Sequence, residues 1–167
     1  LRFFEQAHIK DVIAHLRLVN NFKDEISWKR ILQLQAGIGV ASAEKIWTRI
    51  LAVGSLAQAI QLNLDLGAKA NVGWADAKKT LARVLSLSRN DIGPMIEAVM
   101  DSDYEKFLKN NFENAPDRIA DIEQMQIFAG QYEELEKFLA DAALGEGFKG
   151  SAIAEQNGEP AEAVTLS

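Results

Sequence analysis

The sequence predicts an all-α fold: a compact multi-helix domain of about eight helices, followed by a loose C-terminal linker. Three observations carry this. Apolar residues recur with helical period through almost every segment of the first 144 residues. The 167 residues are 48% hydrophobic and 25% charged, a globular composition with enough apolar side chain for one core. Finally, Gly37-Ile38-Gly39 sits between two helical patterns as a tight turn, and no internal repeat competes with this reading.

Taken in order, Phe4, Ile9, Val12, Ile13, Leu16 and Val19 mark the apolar face of a first helix over residues 3–20. Asp24 is placed to cap a second helix bearing Ile26, Trp28, Ile31, Leu32 and Leu34. After the glycine turn, Ala43, Ile46, Trp47, Ile50 and Leu51 define a third. Gly54-Ser55 breaks it, and Ser55 can cap a helix running through Leu64. Residues Gly67 to Gly73 read as a loop before a helix from about Trp74 to Leu87. Asp91 and Pro94 open the next, since proline fits a first helical turn. Tyr104, Phe107 and Leu108 mark a short helix, and Asn114-Pro116 start one that runs to Ala129. Leu135, Phe138 and Leu139 belong to a last helix after Gly130.

The organisation that follows is a helical domain over residues 1–144, a flexible linker over 145–162 and a strand-like end over 163–167. Gly145, Gly147, Gly150, Gly158 and Pro160 interrupt the acidic linker, and Val164-Thr165-Leu166-Ser167 alternates without a partner. The opening at Leu1 in mid-pattern is expected of a fragment. Neither a bilayer-length apolar run nor a signal-peptide pattern is present, and cysteine is absent, which fits a cytoplasmic protein.

Net charge is −6, but it is unevenly spread. Residues 1–50 hold eight Lys/Arg against five Asp/Glu, whereas residues 101–167 hold five against fifteen. The glycine turn therefore lies in the basic third, and local rather than total charge governs phosphate contact.

That turn is the candidate site. Its glycines allow the backbone to bend and another backbone to approach. The bend aims the free amides of the next helix, at Val40, Ala41 and Ser42, outward to suit a phosphate. Ala43 and Ile46 turn one stripe of that helix back onto its predecessor, the pattern of a helix-hairpin-helix that grips a nucleic-acid backbone without reading bases. Lys29 and Arg30 precede the turn, Lys45 and Arg49 follow it, and the Ser42 hydroxyl can reach the same phosphate. Gly37, Ile38, Gly39, Val40, Ala41, Ser42, Lys45, Lys29 and Arg30 are thus the candidate DNA-binding residues; a plain helical corner is the competing reading of the glycines alone.

Catalytic chemistry is missing. The chain contains no Gly-x-x-x-x-Gly-Lys-Ser/Thr phosphate loop. His8 and His15 share a helix face roughly two turns apart, too far to chelate, and read as solvated or half-buried. Asp117, Asp121 and Gln124 read as a solvated face, and Phe128 and Tyr132 as packing residues rather than a base-stacking platform.

Three segments together resemble one family. Leu1-Arg2-Phe3-Phe4-Glu5 with Ile9-Lys10-Asp11 and Leu16-Arg17-Leu18 is similar to the passage after motif IV of UvrD/PcrA/Rep-type superfamily 1A helicases. Asp24 to Ile46, with Ser27-Trp28 and the Gly37-Ile38-Gly39 turn, resembles the start of their 2B subdomain, whose hairpin touches duplex DNA. Asp117–Gln124 and Phe128–Tyr132 resemble the helices that close 2B, and Val164–Ser167 resembles the opening of motif V. The resemblance is weakest over residues 55–110.

The resemblance implies a duplex-binding, regulatory subdomain inserted in subdomain 2A of an ATP-dependent 3′-to-5′ DNA helicase. It implies no cofactor and no catalysis in this fragment, with ATP and magnesium held elsewhere in the parent protein. Double-stranded DNA near a single-strand junction, domains 1A, 1B and 2A of the parent chain and DNA-repair proteins are the implied partners; a membrane is not. The alternative is a protein-interaction module recruiting DNA-repair or transcription partners. Two departures matter. Gln35-Ala36 stands where the family often has a basic residue before the first glycine, which predicts a weaker grip. Gln6-Ala7-His8 stands where an Arg-x-Glu pattern is common.

Overall fold

A computed structural model describes residues 2–145, and every regular element within them is helical. A single 3-10 turn, Phe3–Glu5, leads into α1 (Ala7–Asn20). Then come α2 (Glu25–Gln33), α3 (Val40–Ile50), the single-turn α4 (Leu56–Ala59) and α5 (Ala68–Leu85). The remainder comprises α6 (Ile92–Val99), a π-helical turn Met100–Tyr104, α7 (Glu105–Asn111), α8 (Ala115–Ala129) and α9 (Leu135–Leu144). Because α6, the π turn and α7 form one unbroken run, the described residues hold the eight helices expected. The predicted linker and terminal strand, from residue 146 onward, lie outside the described residues.

Local chemistry explains most boundaries. Asp24 caps α2 by accepting from the Ser27 amide at 3.0 Å, and Ser55 caps α4 by accepting from the Gln58 amide at 3.1 Å. Proline sits in the first turn of α8, and Gly130 ends it. The Arg89 guanidinium donates to the Val19 carbonyl at 3.2 Å, closing α1 at its C-terminus.

Four expectations need correction. The first helix does not run from residue 3, because Gln6 is extended and separates the 3-10 turn from α1. The helix capped by Ser55 ends at Ala59 rather than Leu64. Leu62, Leu64 and Leu66, half-buried, alternate with exposed neighbours in a segment without regular secondary structure, a period-two pattern at odds with a helix. Residues 67–73 are not a loop: Gly67, at φ +94°, precedes α5, and Gly73 lies inside it. Tyr104, Phe107 and Leu108 belong to the α6–α7 run, because the π turn absorbs a five-residue step between Val99 and Tyr104 and keeps both buried.

Two apolar clusters fill the interior. One joins Phe4, Ile9, Val12, Ile13 and Leu16 to α6–α9 and to Val84 of α5; the other joins Ala14 and Leu18 to α2–α5. Helix α1 therefore serves both. Trp28 and Trp74 anchor the second cluster with ring centroids 6.2 Å apart. Their indole N–H groups donate to the Phe22 carbonyl at 2.6 Å and the Leu62 carbonyl at 3.1 Å, so neither large ring buries an unpaired donor. Phe128 and Tyr132 pack as expected: Phe4, Phe128, Tyr132 and Phe138 form a chain of ring contacts in the first cluster. Ile26, by contrast, is 80% exposed on α2, although it belongs to the apolar residues of that helix.

Candidate nucleic-acid interface

The turn between α2 and α3 is positioned by α5. A Cβ on Gly37 would lie 2.4 Å from the Lys69 carbonyl oxygen, so this position packs directly against the first turn of α5. A Cβ on Gly73 would lie 2.9 Å from Cβ of Gln35 and 3.1 Å from the Ile38 side chain. Gly37 thus lets the turn meet α5 backbone to backbone, and Gly73 leaves room on α5 for the Gln35 and Ile38 side chains. Ile38 is buried at the join and belongs to the second cluster.

The bend itself does not use left-handed glycine conformations. Among the described residues only Gly67 has positive φ, and Gly39 is extended at φ −100°. The expectation that the turn needs forbidden conformations is therefore corrected: close approach is the reason for Gly37. Gly39 faces open space, and a Cβ there would meet nothing within 4 Å.

Gly39 is the N-cap of α3 and has no side chain with which to cap it. The first helical bond is Ala43 N–H to the Gly39 carbonyl at 3.0 Å. The amides of Val40, Ala41 and Ser42 precede that bond, at the positive end of the helix dipole. Val40 is 76% exposed, Ala41 is exposed and Ser42 is half-buried. Ala43 and Ile46 are fully buried, as the stripe requires.

The four nearby cations divide into two pairs. Lys29 Nζ contacts Glu25 Oε2 and Glu44 Oε2, each at 2.5 Å. The Glu25 hydrogen bond, then that of Glu44, holds the Lys29 pKa above the usual lysine value. Arg30 donates to Asp11 Oδ1 at 2.7 Å, and the Tyr104 hydroxyl donates to Asp11 Oδ2 at 2.5 Å. Asp11 is buried, so Arg30 spends its charge tying α1 to α2. Burial and the Asp11 carboxylate raise the Tyr104 pKa well above the ordinary tyrosine value. Lys45 and Arg49, in contrast, are exposed on α3 and line a cleft of about 330 Å³ with Thr48, Leu64, Asp65 and Leu66. The turn, Ser42 and Lys45 are brought together; Lys29 and Arg30 lie on α2 with carboxylate partners.

The buried polar groups differ from expectation. His8 and His15 are both buried rather than solvated. His8 Nε2 lies 2.8 Å from Asp121 Oδ2, so Asp121, half-buried, joins α1 to α8 and is not only part of a solvated face. Asp117 is exposed, as expected. His15 Nδ1 donates to the Asp11 carbonyl at 2.8 Å, and burial lowers its pKa to about 4. The Asp11–Arg30–Tyr104 group carried no sequence signal, since its members are 19 and 93 positions from Asp11.

Among the described residues, no cluster of three or more His, Asp or Glu could hold a metal ion, and no helix is long and apolar enough to cross a membrane. Comparison with known proteins gives a family match over residues 1–156 to the UvrD-like helicase C-terminal domain. The chain is 31% identical over 156 residues to the ATP-dependent DNA helicase PcrA of Bacillus subtilis, covering 86% of this chain and 21% of that protein. It is 41% identical over 51 residues to PcrA from two strains of Staphylococcus epidermidis, covering 30% of this chain and 7% of theirs. The chain thus spans about a fifth of the length of its B. subtilis relative. A helical domain with this glycine turn and a match over residues 1–156 belongs to the UvrD-like helicase C-terminal domain family.

Proposed function

We propose that this chain is the 2B subdomain of an ATP-dependent 3′-to-5′ DNA helicase and holds duplex DNA ahead of a single-strand junction. The observation that carries the reading is the open N-terminus of α3, set on a turn that two glycines clamp against α5. Three amides converging outward suit a phosphate oxygen, and they carry no base information. Binding is therefore sequence-independent and weak, with Gln35-Ala36 supplying no charge before the turn. ATP and magnesium belong, on this reading, to motor domains 1A and 2A of the parent protein, which 2B regulates by position. Subdomain 2B is then a holder of DNA and contributes no hydrolysis.

Gly39→Asp tests the reading. An aspartate N-cap satisfies the amides of α3 and stabilises the helix by a few tenths of a kcal/mol relative to glycine, about 0.3 kcal/mol. It also puts a carboxylate where the phosphate would sit. Fluorescence anisotropy with a labelled duplex is expected to show at least tenfold weaker binding, with the urea midpoint unchanged or raised. Unaltered affinity in a folded Gly39→Asp variant would remove the hairpin from the interface.

The protein-interaction reading has one observation in its favour. Ile26 is exposed at the edge of a cleft of about 440 Å³ between α1, α2 and α9, walled in part by Phe4, Ile13 and Ala142. On the first reading this cleft, whose lining also includes Lys10, Arg17, Asp24 and Arg30, meets the other helicase domains; on the second it receives a repair or transcription protein.

A further inference from the structure

The open amides of α3 account for one phosphate, whereas the outward face of the same helix continues beyond them. Lys45 and Arg49 are four residues apart there and line, together with the Leu64–Leu66 segment, the cleft of about 330 Å³. Neither forms an ion pair with any described residue, in contrast to Lys29 and Arg30, which are held by Glu25, Glu44 and Asp11. The acid lining this cleft is Asp65. Its Oδ1 is 3.3 Å from both the Gly67 amide and Asn71 Nδ2, and so is turned toward its own loop. Leu64 and Leu66 supply the cleft's apolar wall.

We infer that Lys45 and Arg49 form a second backbone contact for the same duplex, so that one DNA strand tracks along α3 from the Val40–Ser42 amides. The inference rests on the duplex-holding reading and deepens it. With about 1.5 Å of rise per residue, Lys45 lies about 7 Å beyond Val40 and Arg49 about 6 Å further. Groups strung along the helix in this way match a polyanion better than one compact anion. Asp65 opposes the contact electrostatically, and it moderates the grip instead of abolishing it because it sits across the cleft from the cations.

The test uses the 167-residue chain and a fluorescein-labelled duplex with a 3′ single-stranded tail, titrated by anisotropy at salt concentrations from about 50 to about 200 mM. Lys45→Gln and Arg49→Gln are each expected to lower the slope of log affinity against log salt by about 1. Asp65→Asn keeps the oxygen acceptor for the Gly67 amide and is expected to tighten binding about twofold to threefold. Inorganic phosphate at millimolar concentration is expected not to displace the duplex. Circular dichroism confirms that the exposed substitutions leave the helices intact. An unchanged salt slope in the Lys45→Gln/Arg49→Gln double variant, with wild-type duplex binding present, overturns the second contact and leaves the hairpin reading standing. Loss of the slope in that variant while Gly39→Asp still binds supports the α3 contact and removes the amides. A wild-type chain with no salt-dependent duplex affinity overturns both, and displacement by inorganic phosphate makes the cleft a small-anion site.

Discussion

At the scale of single residues, the polar groups inside the fold make its acid sensitivity predictable. His15 is buried beside the Asp11 backbone and neutral, with its pKa lowered from 6.5 to about 4 by burial. A base whose folded pKa lies below its unfolded value binds more protons when unfolded. Stability is therefore complete above pH 6.5 and falls as pH drops from 6.5 toward 4. Over the interval from pH 7 to pH 4.5 the loss from this one group is about 2 kcal/mol. Urea unfolding of wild type and His15→Leu at both pH values checks it: the variant is expected to lose about 2 kcal/mol less on acidification. An equal acid loss in both proteins assigns the sensitivity to other groups. Histidine seven positions from histidine gave no hint of burial in the sequence, because its neighbours Leu34, Thr80, Val99 and Tyr104 come from elements far along the chain. The same reason hid Arg30. It stands beside Lys29 in the chain and looks like a second surface cation, yet its partner Asp11 is reached only once α1 and α2 have packed.

The elements themselves were legible wherever a cap or an apolar stripe stood alone. Asp24, Ser55 and Pro116 mark helix starts by local chemistry that needs no tertiary partner. Two of the four failures lie at or just before α5. Gly67 and Gly73 carry the same local signal of a loop, but only Gly67 has the positive φ that such a signal encodes. Gly73 is glycine because the turn before α3 rests on it, a contact between residues 35 and 73 that no local pattern records. This difference predicts opposite effects for two helical glycines. Gly73→Ala drives a methyl group into Gln35 and Ile38, and overpacking of about 1–3 kcal/mol outweighs the roughly 1 kcal/mol of helix propensity gained. Gly93→Ala on α6 meets only Gln126 Cγ at 3.8 Å, an ordinary contact, and is expected to be neutral or stabilising by up to about 1 kcal/mol. Thermal or urea unfolding separates them. If Gly73→Ala is as stable as wild type, α5 does not clamp the turn, and the geometry of the proposed interface loses its support.

For the molecule as a whole, the decisive feature is that two apolar clusters share α1, with α5 also reaching the first cluster through Val84. Helical period announced the all-α class and the number of helices, but it could not say that most of α2–α5 gathers into one cluster and α6–α9, with Val84 of α5, into another, because a stripe names its own buried face and not its partner. Helix α1 contributes Ile9, Val12 and Leu16 to one cluster and Ala14 and Leu18 to the other. Asp11 reinforces the join by binding Arg30 of α2 and Tyr104 of the π turn. With α1 common to both, neither cluster can lose its packing without uncovering apolar surface of the other, so the described domain is expected to unfold in a single step. The tryptophans make this measurable. Trp28, Trp47 and Trp74 all belong to the α2–α5 cluster, so indole fluorescence reports that half alone, whereas far-ultraviolet circular dichroism reports every helix. Coincident urea curves are the expected result. A fluorescence midpoint well below the dichroism midpoint would show instead that the half carrying the glycine turn opens on its own. In that case the candidate interface would sit on a locally unstable unit, and the geometry of the α3 amides would hold only while that unit is closed.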